Sequence, residues 1–325
     1  MKLLVLGGLV LAVSATACGA APEAMSDDEE TRALGTPLDA RPGDRVELQR
    51  VAVIAPQLGL GVLAEIVLED GTTQTLRVET KADGGVWLLP ASDEADEGDE
   101  GDEGAAEPGV ATESDAQAAG EATASGSIGP CKDGAKHLAP YSWNTTFEWS
   151  FNAGTTPSGL SKDAVEAVLR KATSNITASR NSCGLADQVS ATHSYKGRTS
   201  VGTQVTADAS CKDGNGVNTV GFGDLPDGIL GLTCVWYDGE GHALESDMRL
   251  NKGDYKWTPK VDSSCSNRWS IEAVATHERG HTFGLGHVAE GAHGNLTMSP
   301  QLNGPCQSSE STLGLGDVKA LRARY

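Results

Sequence analysis

The rhythm of apolar and polar positions changes several times along the chain, and each change marks a different kind of segment. Leu3 to Val13 is one apolar run behind Lys2, too short for a bilayer span, which takes about twenty residues. Between residues 41 and 90 the runs RVELQRVAVIAP, GVLAEIVLEDG and TLRVETKADGGVWLLP, punctuated by Gly, Asp and Pro, predict three or four strands. Large apolar side chains then almost vanish until residue 130. Beyond it FEWSFN (147–152) alternates as a strand does. In SKDAVEAVLRKATSNI, Val165, Val168, Leu169, Ala172 and Ile176 share one helical face, with Ser161 as the cap. ATHSYKG, NTVGFGDL, GLTCVWYD and LESDMRLNK read as short extended runs between Gly- and Asp-rich turns. A second helix is expected from Ser270, turning Ile271, Val274 and Ala275 inward.

Composition sharpens this division. A length of 325 residues allows one or two domains, and 38% hydrophobic residues with 40 glycines suggest a loop-rich protein with some unstructured length. The net charge of −20 is concentrated: residues 91–127 hold twelve acidic side chains and no Lys or Arg. That stretch cannot bury enough apolar surface to offset the entropy of ordering, so it is expected to be a disordered linker. No basic patch is present to neutralise phosphates, which argues against a nucleic-acid partner.

The start reads as an export signal, with Ala15-Thr16-Ala17 suited to cleavage. Ala17-Cys18 also resembles a bacterial lipobox, although Ala15 departs from its preferred Leu, so Cys18 is the expected lipid attachment point. The expected location is the bacterial cell envelope (outer membrane), reached through that anchor alone, or otherwise secretion. Setting Cys18 aside leaves Cys131, Cys183, Cys211, Cys234, Cys265 and Cys306, an even set that fits three disulfides in an exported protein. Fifteen pairings are open; simple nesting favours Cys211–Cys234 and Cys265–Cys306. The expected boundaries are a signal peptide over 1–17, a tether over 18–40, a small β-rich unit over 41–90, an acidic linker over 91–130 and a main domain over 131–325. The small unit suits a pro-segment and a plain spacer equally well.

HERGHTFGLGH (277–287) gathers three of the seven histidines. On a helix, His277 and His281 lie one turn apart on one face and can address one ion. Gly284 can break the helix sharply, so that the returning chain brings His287 from another side. Three imidazoles leave a fourth tetrahedral position open, the catalytic form of a zinc site, with Glu278 beside it as a base. The alternatives are three histidines satisfied by ordinary hydrogen bonds and a purely structural ion, which would have no use for that glutamate.

HExxHxxGxxH, followed by LTMSP with Met298 eleven residues past His287, resembles the metzincin zinc endopeptidases and is most similar to the matrixins. FEWSFNAGTTPSGLSKDAVEAVLRKA, WSIEAVATHERGHTFGLGH and LGLGDVKALRARY extend the likeness over roughly residues 145–325. The resemblance implies an α+β fold: a matrixin-like catalytic domain with a twisted mixed sheet, two long helices and a C-terminal helix, preceded by the β-rich unit and the linker. It implies zinc held by His277, His281 and His287, Glu278 as general base, and Met298 as the floor of the site. A peptide would pair with an edge strand around Leu232, Thr233, Val235 and Trp236, unless that segment is simply an interior strand, and Pro300 to Asn303 would line the S1′ pocket. Calcium at DASCKDGNGVN is implied by analogy. The departure is latency: matrixins block zinc with a pro-segment cysteine, and none lies between Cys18 and Cys131. The expected function is an exported, monomeric endopeptidase acting on protein or peptide substrates. The rivals are a surface-anchored, non-catalytic zinc-binding module and an enzyme whose third ligand is a downstream glutamate.

Overall fold

A computed structural model describes residues 2–6, 9–13, 34–68, 73–91, 128–289, 293–300 and 302–325. Cys18 and residues 92–127 lie outside them, and with them the lipid attachment and most of the acidic linker. Strands β1 (Lys2–Leu6) and β2 (Leu9–Val13) pair antiparallel. They are followed by β3 (Thr36–Leu38), β4 (Arg45–Leu48), β5 (Val51–Ile54), β6 (Leu60–Leu68), β7 (Thr73–Thr80) and β8 (Val86–Leu89). The C-terminal part contains β9 (Phe147–Phe151), α1 (Lys162–Thr177), β10 (His193–Arg198), β11 (Ser210–Cys211), β12 (Asn218–Gly223), β13 (Ile229–Asp238) and β14 (Ala243–Asn251). It ends with β15 (Trp257–Thr258), β16 (Trp269–Ser270), α2 (Ile271–Thr282) and α3 (Leu315–Arg324).

Among the described residues this is a mixed α/β fold, built on a nine-stranded sheet with three smaller sheets and three α-helices. The sheet runs β10-β9-β12-β14-β13-β6-β7-β8-β3. Its first four strands are parallel, and β13 turns antiparallel to β14. Both long helices begin where their caps predict: Ser161 Oγ accepts from Ala164 N, and Ser270 Oγ from Ala273 N. The predicted face of α1, from Val165 to Ile176, is buried.

The N-terminal strands do not stand apart from this sheet; they extend it. Strand β6 pairs antiparallel with β13, placing Glu65 opposite Thr233 and Gly61 opposite Tyr237. A second junction forms where β11 pairs with β5 in a small sheet with β4. The strand containing Leu232, Thr233, Val235 and Trp236, expected at a sheet edge, is therefore interior here. Its sequence, GILGLTCVWYD, is apolar on successive residues, as a strand covered on both faces requires. The boundary set at residue 41 also moves: β3 pairs with β8, and Leu34, Leu38 and Ala40 pack on the N-terminal core. The polar, Ala- and Pro-containing composition of residues 19–40 is what reads as a tether.

Two apolar cores result. One joins the C-terminal strands to α1, α2 and α3 through Phe147, Trp149, Leu169, Val274, Phe283 and Leu321. The other joins Val53, Val62, Ile66, Leu76 and Val78 of the N-terminal unit to Leu232, Cys234 and Trp236 of β13. A fifty-residue unit is marginal alone, and this one completes its core with residues of the larger domain. Three disulfides staple the C-terminal part: Cys211–Cys234 and Cys265–Cys306 as nesting favoured, and Cys131–Cys183.

Candidate metal centre

Helix α2 carries His277, Glu278 and His281, all fully buried. It ends at Phe283, and Gly284 follows with φ +81°, a conformation that favours glycine; a Cβ there would also lie 2.4 Å from the Tyr141 carbonyl. The reversed chain delivers His287, and the three Nε2 atoms end 3.0–3.1 Å apart.

The second nitrogen of each helical ring decides what this triangle can do. His277 Nδ1 donates to Thr297 O at 2.6 Å, and His281 Nδ1 to Leu285 O at 2.9 Å. In neutral rings these bonds fix the tautomer, so both Nε2 atoms carry lone pairs. Those lone pairs converge on one point, which is repulsive unless a cation occupies it. Burial lowers the proton affinity of His277 and His287 well below the usual histidine range, and neighbouring imidazoles push the same way. Burial would also lower that of His281, but nearby Glu65, Glu278 and the bond to Leu285 O together outweigh it and raise the value. The donor set and the size of the triangle suit zinc, whose bonds to histidine are about 2.0–2.1 Å.

Glu278 projects beside the triangle. Its Oε2 accepts from Thr233 Oγ1 at 2.5 Å, while its Oε1 has no hydrogen bond despite full burial. Burial raises its pKa to about 7, countered by His281 and the Thr233 bond. The room for this carboxylate comes from Gly231, where a Cβ would meet Glu278 Oε1 at 2.4 Å. Met298 lies buried below, and its loop is held by Asp317, whose carboxylate accepts from Thr297 N, Met298 N and Gly314 N. Pro300 is buried, and Asn303 N donates to Glu310.

Other sequence candidates lie elsewhere. Leu232 and Trp236 face the N-terminal core, whereas Thr233 and Val235 face the metal side of the sheet. His293 pairs with buried Asp133, and His193 accepts from Trp149. Asn175, within an Asn-x-Thr triplet, is buried against Glu272 and Thr276, where no glycan fits. In the loop DASCKDGNGVN, Gly216 N donates to the Glu245 carboxylate, so a protein group already organises that turn.

Three features escaped the sequence reading. Glu65 reaches the centre from β6, with Oε2 2.7 Å from His281 Nδ1. Arg279, between the ligands, is fully buried with its guanidinium over Phe147 and Trp149 at 5.0 and 4.8 Å. Asp238, Glu240 and His242 cluster in the β13–β14 turn, where hydrogen bonds within the turn account for Asp238 and His242. The spacing DGEGH could have signalled that turn; nothing in the sequence ties Glu65 to residues so distant.

The matrixin family model matches residues 222–325, which include β13, α2, all three histidines, the Met298 loop and α3. No curated protein sequence matches the chain. The histidine triad is compatible with the metzincin catalytic motif, and the match supports a zinc metallopeptidase. Residues 222–325 are thus similar to the matrixins, and the likeness is limited to that part of the chain.

Proposed function

We propose that the chain is an exported zinc endopeptidase that hydrolyses peptide bonds in protein substrates. One observation carries the reading: three Nε2 atoms converge at 3.0–3.1 Å beside a buried carboxylate with one oxygen unpaired. His277, His281 and His287 would hold the ion. When bound, zinc supplies a Lewis acid that polarises a carbonyl and acidifies water.

The chain's own groups do the rest. Glu278 takes a proton from the attacking water at its unpaired oxygen and passes it to the leaving amine. Thr233 holds the other oxygen, so the carboxylate keeps one orientation through both transfers. Thr297 and Leu285 fix the imidazole tautomers. Met298 would give the site an apolar floor, and Pro300 to Asn303 would line the pocket for the side chain after the cleaved bond. An extended peptide would have to take the place of β6 to pair with β13 along Leu232 to Trp236. The three disulfides support an oxidising destination, and Cys18 is the proposed lipid anchor.

The test is cleavage of a denatured protein by purified chain, with and without a zinc chelator, alongside metal analysis. Chelator-sensitive cleavage that Glu278→Gln abolishes while zinc is retained supports the enzyme. Retained zinc with no cleavage under any condition, including removal of the N-terminal unit, would leave the non-catalytic module as the better account. Unchanged zinc and activity in His287→Ala would rule out the proposed ligand set.

A further inference from the structure

A cavity of about 350 Å³ lies at the start of β13, away from the histidines. It is lined by Asp227 and Gly228, which precede β13, by Asp254, Tyr255 and Lys256, which follow β14, and by Trp269, which precedes the α2 cap. Pro305 also borders it, two residues past Asn303 of the expected S1′ lining. A few bonds fix these walls. Buried Asn251 donates through Nδ2 to Ile229 O at 2.9 Å and to the Asp254 carboxylate at 2.8 Å, which ties that carboxylate to the first residue of β13. Trp269 N donates to Lys256 O, and Cys306 N to Arg268 O. The rings of Tyr255 and Trp269 meet edge to face, with centroids 6.0 Å apart.

Two carboxylates and two aromatic rings around a space this small suit one kind of group, a cation at the end of a long side chain. Among the described residues no Lys or Arg forms an ion pair with the carboxylate of Asp227 or Asp254. Lys256 answers one of the two charges, so the lining keeps one net negative charge. A guanidinium already rests beside it: Arg50 donates to Asp227 O, and its Nη1 lies 3.5 Å from where a Cβ on Gly228 would stand.

Position along β13 relates the cavity to the chemistry. Gly231 faces Glu278, and Gly228 stands three residues upstream, about 10 Å at the rise of a strand. Strand β6 runs antiparallel to β13, from Leu60 opposite Asp238 to Leu68 opposite Ile229. A peptide that takes its place in the same direction carries the residues after the cleaved bond toward Ile229. We infer that the cavity is a specificity subsite for an arginine or lysine side chain about three residues past the cleaved bond, so that the preferred substrates are basic at that point. The inference rests on the peptidase reading of the metal centre.

The experiment has two arms, both on the full zinc-loaded chain. The first titrates benzamidine, a planar cation shaped like an arginine head, by saturation-transfer NMR, with neutral benzamide beside it. Benzamidine should bind and benzamide should not, and Asp227→Asn with Asp254→Asn should weaken benzamidine at least about tenfold. Asparagine at 254 still accepts from Asn251, so the wall is kept. The second arm compares two fluorogenic peptides that differ only in arginine or glutamine at the third position past the cleaved bond. In the wild type kcat/KM should favour arginine about tenfold, and in the double variant the ratio should fall to about one. Glu148→Gln, whose carboxylate meets Lys196 on β9, should keep the wild-type ratio. Equal benzamidine affinity in wild type and double variant overturns the inference, as does a wild-type ratio of about one. If benzamidine follows the expected order and no chain cleaves peptide, the cation site stands and the peptidase reading fails.

Discussion

Strand β13 separates two regions that bury their side chains by different rules. On its metal face, Thr233 bonds Glu278, Gly231 leaves room for that carboxylate, and each helical histidine is aimed by a named carbonyl. Every polar atom there needs a particular partner at a particular distance. On the opposite face, Leu232 and Trp236 meet Val62, Ile66 and their neighbours, where matching volume is all that is required. The first region depends on geometry and charge, the second on apolar surface and fill. Perturbations should therefore separate them, with the metal face losing activity at intact stability and the other face losing stability first.

Glu278→Gln is the sharpest test on the metal face. It should lower kcat by about 10²–10⁴-fold with zinc content and Tm nearly unchanged. On the other face, Ile66→Ala removes a fully buried side chain from the shared core. Urea unfolding should show a loss of about 2–5 kcal/mol, and proteolysis of β6 should accelerate with it. A drop in stability from Glu278→Gln as large as that from Ile66→Ala would break the comparison.

Asp317 tests whether burial or hydrogen bonding dominates beneath the metal. Burial pushes its pKa from 3.8 to about 6, partly offset by donors from Gly314, Thr297 and Met298. With the folded value above the unfolded one, the native state holds more protons between those pH values. Stability should then fall by about 3 kcal/mol as pH rises from about 4 to about 6, and level off above that. The measurement is urea unfolding across that window, compared with Asp317→Asn, in which this contribution to the slope should be gone. A rise in wild-type stability relative to the variant would mean that the three backbone donors win. The smallest effect belongs to the solvent-facing ion pair of Lys196 and Glu148, whose side chains are 51% and 58% exposed. Lys196→Ala should change stability by less than about 1 kcal/mol and leave both regions alone.

The same contrast explains what could be read from the chain. HERGHTFGLGH is legible because all three ligands and the base fall within eleven residues, where helical periodicity alone sets their directions. Ser161 and Ser270 announce their helices because capping is local. Glu65 sits in an ordinary alternating run, GVLAEIVLEDG, and acquires its meaning only from the register of β6 on β13. Arg279 stands inside the motif, yet its place over Phe147 and Trp149 depends on a strand far away in sequence. The two-sided burial of β13 was written in its unbroken apolar pattern, but the identity of the strand covering it was not. Strand pairing is fixed by tertiary complementarity, which leaves only a weak local trace.

The Cys211–Cys234 bond joins β11 to β13, and these are the two strands on which the N-terminal unit docks, through β5 and β6. Its receiving surface is thus a single cross-linked plate, assembled only once those thiols have been oxidised. Loss of that bond would loosen the seat, so redox conditions and the grip of the N-terminal unit are coupled through one sulfur–sulfur link.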